Sequence, residues 1–116
     1  MTLLNRESIL SATDLSIEKV DLPEWGGHVF VKSMTGAERD RWEIQAVSNG
    51  KNKTPENIRA QLAAMTVCDE TGALLFTADD VVALSSKSAK ALDRVMEVAL
   101  QVNGLSQKHV EELEKN

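Results

Sequence analysis

The segment that most constrains this chain is Leu22-Pro23-Glu24-Trp25-Gly26-Gly27-His28-Val29-Phe30-Val31-Lys32, followed at once by Met34-Thr35-Gly36-Ala37-Glu38-Arg39-Asp40. Pro23 and the Gly26-Gly27 pair interrupt two short runs with strand character, which predicts a β-hairpin. Residues 17–22 place Val20 and Leu22 on one face and Lys19 and Asp21 on the other, the alternation of a half-buried strand. Residues 28–33 place Val29 and Val31 together in the same way. The connection between them has the residues for a turn with a bulge. Thr35 with Glu38 forms a capping box, in which each side chain satisfies a free amide at a helix start. A hairpin running directly into a capped helix admits few folds.

Further helices are marked by caps and apolar spacing. Asn5 caps a short first helix ending near Thr13-Asp14, with Leu4 and Ile9 placed as a hydrophobic staple. The helix from Thr35 carries Trp42, Ala46 and Val47, and Asn49-Gly50 is expected to stop it and begin a polar loop through Lys53. Thr54-Pro55-Glu56 opens another helix, proline standing where its missing amide is harmless. Ile58, Leu62 and Met65 form its stripe, with Cys68 at its end. Asp69-Glu70-Thr71-Gly72 is a turn, and Leu74-Leu75-Phe76 suits either a short strand or a linker. Thr77 caps a short helix with Asp79 and Asp80 in its first turn, where the helix dipole favours acids, and Phe76 and Val81 make a second staple.

After Ser85-Ser86-Lys87-Ser88 comes what the pattern marks as the longest helix, about 88–103, with Leu92, Val95, Met96, Ala99 and Val102 on one face. Gly104 suits a left-handed position, with Leu105 folding back on Leu100 in a Schellman motif. Ser106 caps a final helix, with Leu105 and Val110 as a third staple. The expected architecture is α+β: a small helix-dominated domain of 116 residues, about five helices around one β-hairpin.

Composition narrows the function classes. The net charge is −5, with the acid excess mainly in the second half and no basic stripe, so nucleic acid is not an expected partner. No apolar run approaches the roughly 18 residues that span a bilayer. The N-terminus lacks a signal-peptide pattern. One cysteine, Cys68, allows no internal disulfide, and these features together point to the cytosol. Cys68 with His28 is the one conceivable nucleophile–base pair, but no oxyanion motif accompanies it, and a lone cysteine among apolar residues is usually a small buried hydrophobe. His28 and His109 lack metal-ligand spacing, and Gly26-Gly27 is not followed by a phosphate-loop pattern. No enzyme activity, cofactor or metal is expected.

Two regions suit partner binding. Trp25, at the hairpin tip, either lids the core or offers an exposed contact, since tryptophan buries large area at low entropic cost. The C-terminal helix is either a solvated cap or a segment that docks on another molecule. The candidate contact residues are Trp25, Phe30, Val110 and Leu113.

An ordered set of segments also carries a family resemblance. It comprises the short Ile9-Leu10 helix, Leu22-Pro23-Glu24-Trp25-Gly26-Gly27, Met34 to Asp40, Val67-Cys68-Asp69-Glu70-Thr71-Gly72, Leu75 to Val81, Leu92-Asp93-Arg94-Val95, Asn103-Gly104-Leu105-Ser106 and the ending Val110 to Asn116. In this order and at this length the chain resembles the small tail assembly chaperones of long-tailed bacteriophages and their prophages. The resemblance carries over no catalytic residue. It implies a protein of the host bacterial cytoplasm, absent from the mature virion, that binds the tape measure protein and keeps it soluble until tail tube subunits assemble around it. It implies tail tube protein as a further candidate partner, and a homo-oligomer coating a long client. It also implies a longer form made by ribosomal frameshifting, for which Lys115-Asn116 is encodable as a slippery site. The alternative is a minor structural or completion protein of the tail.

Overall fold

A computed structural model of the chain describes residues 2–52, 58–105 and 108, with backbone alone over 45–52. Five helices and a three-stranded antiparallel sheet lie among these residues: α1 (Arg6–Ser11), β1 (Ile17–Leu22), β2 (Gly27–Lys32), α2 (Gly36–Asn52), α3 (Ile58–Thr66), β3 (Val67–Cys68), α4 (Val81–Ser85) and α5 (Ala89–Val102). The fold is α+β, as the sequence predicts.

The hairpin forms where expected, with Ile17 opposite Lys32 and Leu22 opposite Gly27. That register is one-to-one, so the expected bulge is absent. A 3₁₀ turn over Pro23–Trp25 reverses the chain instead, and Gly26 ends it at φ 76° with its amide donating to the Pro23 carbonyl at 3.1 Å. A left-handed residue completes the reversal without an extra residue in either strand. Ser33 adds a rung at the open end: its amide donates to the Ser16 carbonyl and its hydroxyl accepts from the Ser16 amide.

One face of the sheet supplies Val20, Leu22, Val31 and Val67 to the core. α5 lies against β1, β2 and α3, and contributes Leu92, Val95, Met96, Ala99 and Leu100. α3 is the most enclosed helix among the described residues. Its predicted stripe is present, Ile58 and Leu62 buried and Met65 half-buried, but Ala60, Ala63 and Ala64 are buried as well. Small residues around a helix let neighbours approach from several sides. Trp42 of α2 is wholly buried. Its Nε1 and the Oε1 of Gln61 in α3 are both buried without a hydrogen-bond partner among the described residues.

Three boundaries differ from expectation. α2 continues through Asn49-Gly50 to Asn52 and, at 17 residues, is longer than the 14-residue α5. An interior glycine costs a helix only about 1 kcal/mol, too little to stop one that gains a bond with each residue. Val67-Cys68 leaves the α3 helix and pairs with the free edge of β2, Phe30 opposite Cys68 and Val31 opposite Val67. Leu74 then bridges back to Cys68. A short apolar run has no periodicity to separate helix from strand, and here the open edge of β2 decided it. α1 stops at Ser11, and the Leu4–Ile9 staple does not pack: both residues are exposed.

The other caps form. The Thr35 amide donates to Glu38 Oε1 at 2.9 Å, and the Glu38 amide donates to Thr35 Oγ1 at 3.1 Å. Ser88 caps α5. Leu105 N–H donates to the Leu100 carbonyl and Gly104 N–H to that of Gln101, with Gly104 at φ 66°, which is the predicted Schellman motif. Asn103 adds a link that local sequence does not suggest. Its Oδ1 accepts from the Met34 amide at 2.6 Å and its Nδ2 donates to the Ala99 carbonyl, joining the end of α5 to the β2–α2 connection. The Thr54-Pro55-Glu56 start, the Ser106 cap and the Leu105–Val110 staple fall outside the described residues.

Candidate functional site

The hairpin tip is held in place by a charged fork. Arg94 of α5 donates from Nη1 to Glu24 Oε1 at 2.7 Å and from Nη2 to Glu24 Oε2 at 2.5 Å. A bidentate pair of this kind fixes direction as well as distance. The Glu24 carboxyl is held below its ordinary range by its own backbone amide first; desolvation, the next largest effect, opposes this, and Arg94 adds to the lowering. Trp25, the next residue, is thereby fixed at the edge of the α4 region.

Trp25 forms one wall of a groove of about 430 Å³, lined also by Phe76, Asp80, Ala83, Leu84 and Lys87. The other walls come from the segment after the Asp69 turn. Asp69 Oδ1 accepts from the Thr71 amide and hydroxyl and from the Ala73 amide. Those bonds, the Thr71 hydroxyl first, lower its pKa. Gly72 stands at φ 92° and the chain returns along β3. Phe76 and Val81 both pack half-buried on the core, as their staple spacing predicts. Thr77 and Asp80 start the next turn: the Thr77 amide donates to Asp80 Oδ2 at 2.8 Å. The groove is apolar at its walls with one acid and one base at its rim.

Large apolar residues remain exposed around it. Val82 is 75% exposed, and Leu74, Leu75 and Trp25 are at or above a third. A second groove, about 330 Å³, lies on the other side of Phe76, between Glu38, Arg41, Gln61, Met65, Leu74 and Val81. The 74–84 segment therefore separates two concave apolar surfaces, the arrangement expected of a surface that receives apolar side chains.

The sequence-predicted contact residues do not converge. Trp25 is both half lid and half exposed contact, at 36% exposure. Phe30 points to the sheet face opposite Val29 and Val31, half-buried, with its ring edge-on to His28 at 5.7 Å and 84°, and it does not line the Trp25 groove. Val110 and Leu113 lie outside the described residues. Sequence reading missed Leu74, Leu75 and Val82 as surface residues. Phe76 was legible only as a staple; its double role follows from its place between two grooves.

Cys68 is buried, and burial first of all pushes its thiol pKa up, with Asp69 adding to this and Lys32 opposing it. A nucleophilic thiol needs the reverse shift. Its cross-strand neighbour is Phe30, with His28 two residues further along β2. Among the described residues no group of three or more His, Cys, Asp or Glu side chains is placed to hold a metal ion.

No protein-family model matches the chain, and no curated protein matches it. Among solved structures the fold is similar to that of the bacteriophage HK97 tail assembly chaperone, with a TM-score of 0.60 and 19% sequence identity, over 83% of this chain and 94% of that one. The two proteins share a fold.

Proposed function

We propose that this chain is a phage tail assembly chaperone that binds the tape measure protein and keeps it soluble during tail assembly, acting in the host cytoplasm as several copies and leaving before the virion is complete. The observation that carries this reading is the fold likeness to the HK97 tail assembly chaperone over nearly all of that protein. The ordered segments from Leu22 to Leu105 that resemble the family support it independently of the fold comparison. So does the surface chemistry. A helical client with apolar stripes needs concave apolar grooves, and the segment 74–84 has one on each side.

The test is co-expression with the tape measure protein encoded beside this gene. The client's soluble fraction is expected to rise, and Trp25→Ala is expected to lower the gain without unfolding the chaperone. Equal insolubility with and without this chain overturns the proposal. Mass spectrometry of purified particles is expected to find none of the chain; a stoichiometric copy number would favour a structural tail protein. Expression with the native downstream sequence tests the frameshifted longer form, expected as a minor second product sharing one N-terminus.

A further inference from the structure

The Asn-Gly pair occurs twice in the chain, at Asn49-Gly50 inside α2 and at Asn103-Gly104 where α5 ends. The pair is chemically labile. Glycine has no Cβ to shield its amide nitrogen, so that nitrogen can approach the carboxamide carbon of the asparagine before it.

The fold holds Asn103 in an unreactive arrangement. Its ψ is 3°, which turns the Gly104 nitrogen towards the asparagine's own amide and away from its side chain. A ring between that nitrogen and Cγ closes only after this bond rotates. Hydrogen bonds on both sides oppose the rotation. Gly104 N–H donates to the Gln101 carbonyl at 3.2 Å, and Leu105 N–H to the Leu100 carbonyl at 2.8 Å. The side chain is held too: Oδ1 accepts from the Met34 amide at 2.6 Å, and Nδ2 donates to the Ala99 carbonyl at 2.8 Å. These partners fix which side-chain atom is which, because an amide needs the oxygen and a carbonyl needs the nitrogen.

We propose that Asn103 is a deamidation site protected by the closed end of α5, and that its product cannot rebuild the tie to Met34. In the reaction the Gly104 nitrogen gives up its proton and bonds to Asn103 Cγ. The Cγ–Nδ2 bond breaks, and the nitrogen leaves as ammonia. A water molecule then opens the cyclic imide. Attack at the side-chain carbonyl gives aspartate, and attack at the main-chain carbonyl gives isoaspartate. Only molecules whose α5 end has opened can react, so modification accumulates with local opening. The product has an oxygen where Nδ2 stood. It loses the donor to the Ala99 carbonyl and sets a charged oxygen against a carbonyl oxygen. Isoaspartate also lengthens the main chain by a methylene, which the turn through Gly104 does not accommodate. A transient opening thereby becomes permanent, and α5 is released from the β2–α2 connection. The inference does not rest on what the chain binds.

Peptide mass spectrometry of the full chain, held in mildly alkaline buffer, tests it. Trypsin cuts after Arg41, Lys51, Arg94 and Lys108, which places Asn49 and Asn103 in separate peptides. Conversion at Asn103 is expected to be at least about tenfold slower in the folded wild type than in the same chain unfolded in urea. That comparison needs no variant. Leu105→Ala loosens the Schellman end and leaves the Asn-Gly pair intact. It should speed conversion at Asn103 severalfold, with the circular dichroism spectrum and the rate at Asn49 unchanged. Asn103→Asp supplies the product directly. It should lower the melting temperature by a few degrees and speed hydrogen exchange at the Met34 amide. Equal rates at Asn103 in the folded and unfolded chains overturn the proposal. So does a Leu105→Ala rate equal to that of the wild type, since the α5 end would then not be the guard. An Asn103→Asp chain whose Met34 amide stays protected overturns the claim that the product cannot rebuild the tie.

Discussion

α1 and α3 are both short helices, and they differ in almost every respect that decides stability. α1 has a complete capping box and no buried residue. α3 lies under α5, α2 and α4 and buries seven of its nine residues. The contrast separates two things that sequence patterns run together. Caps state where a helix begins, because they satisfy amides within one turn of it. Whether that helix adds to the stability of the fold depends on what its side faces meet, and tertiary packing supplies most helical stability in proteins.

The sharpest way to break this comparison is to truncate equivalent residues in the two regions. Trp42→Ala in α2, against α3, is expected to destabilise by about 3–5 kcal/mol, and Leu62→Ala by about 2–5 kcal/mol, measured by urea denaturation. Ile9→Ala in α1 should change stability by less than about 0.5 kcal/mol at low protein concentration. A large effect of Ile9→Ala in the monomer would show that α1 packs on its own chain.

Capping sharpens it further. Thr35→Ala removes the cap of a helix tied to the core and should cost about 1 kcal/mol. Asn5→Ala should leave the unfolding midpoint unchanged while hydrogen exchange of the α1 amides accelerates. Gly104→Ala places a side chain at φ 66° and should cost about 1–2 kcal/mol. No neighbouring atom lies within 4 Å of the added Cβ, so this effect isolates backbone strain from crowding.

The smallest expected effect is electrostatic. Burial raises the Glu38 pKa, but the Thr35 amide and the Lys32 ammonium, 3.3 Å away, outweigh it, and the net value falls below 4.5. A carboxyl depressed in the folded state binds fewer protons there than when unfolded. Its stabilisation is complete above the unfolded pKa and is lost as pH falls below 4.5 through the folded value. Glu38→Gln should therefore flatten the acid limb of the stability–pH curve.

The inward faces of the two hairpin strands were legible because alternation has a period of two, so that Val20, Leu22 and Val31 fall together on the buried side, whereas the one-to-one register was not, since a bulge was expected at the turn. The Schellman end of α5 was legible because Gly104 and Leu105 carry both the conformation and the apolar contact that the motif needs. The candidate site was far less so. Trp25 stood out at a turn, but its groove is completed by Phe76 and Leu84, some fifty residues away in the chain, and nothing local ties them together.

What the sequence determined by itself is whatever closes within a few residues: the caps at Asn5, Thr35 and Thr77, the turns at Gly26 and Asp69, and the apolar faces of β1, β2 and α5. These depend on short hydrogen bonds and on fixed periodicities, and both are written locally. Tertiary structure alone decided the rest. It turned Val67-Cys68 into a third strand because β2 had a free edge, enclosed α3 on several sides, tied Asn103 to Met34, and left α1 uncovered. Each of those outcomes depends on which surfaces meet, and burial belongs to a pair of surfaces where a sequence pattern describes only one.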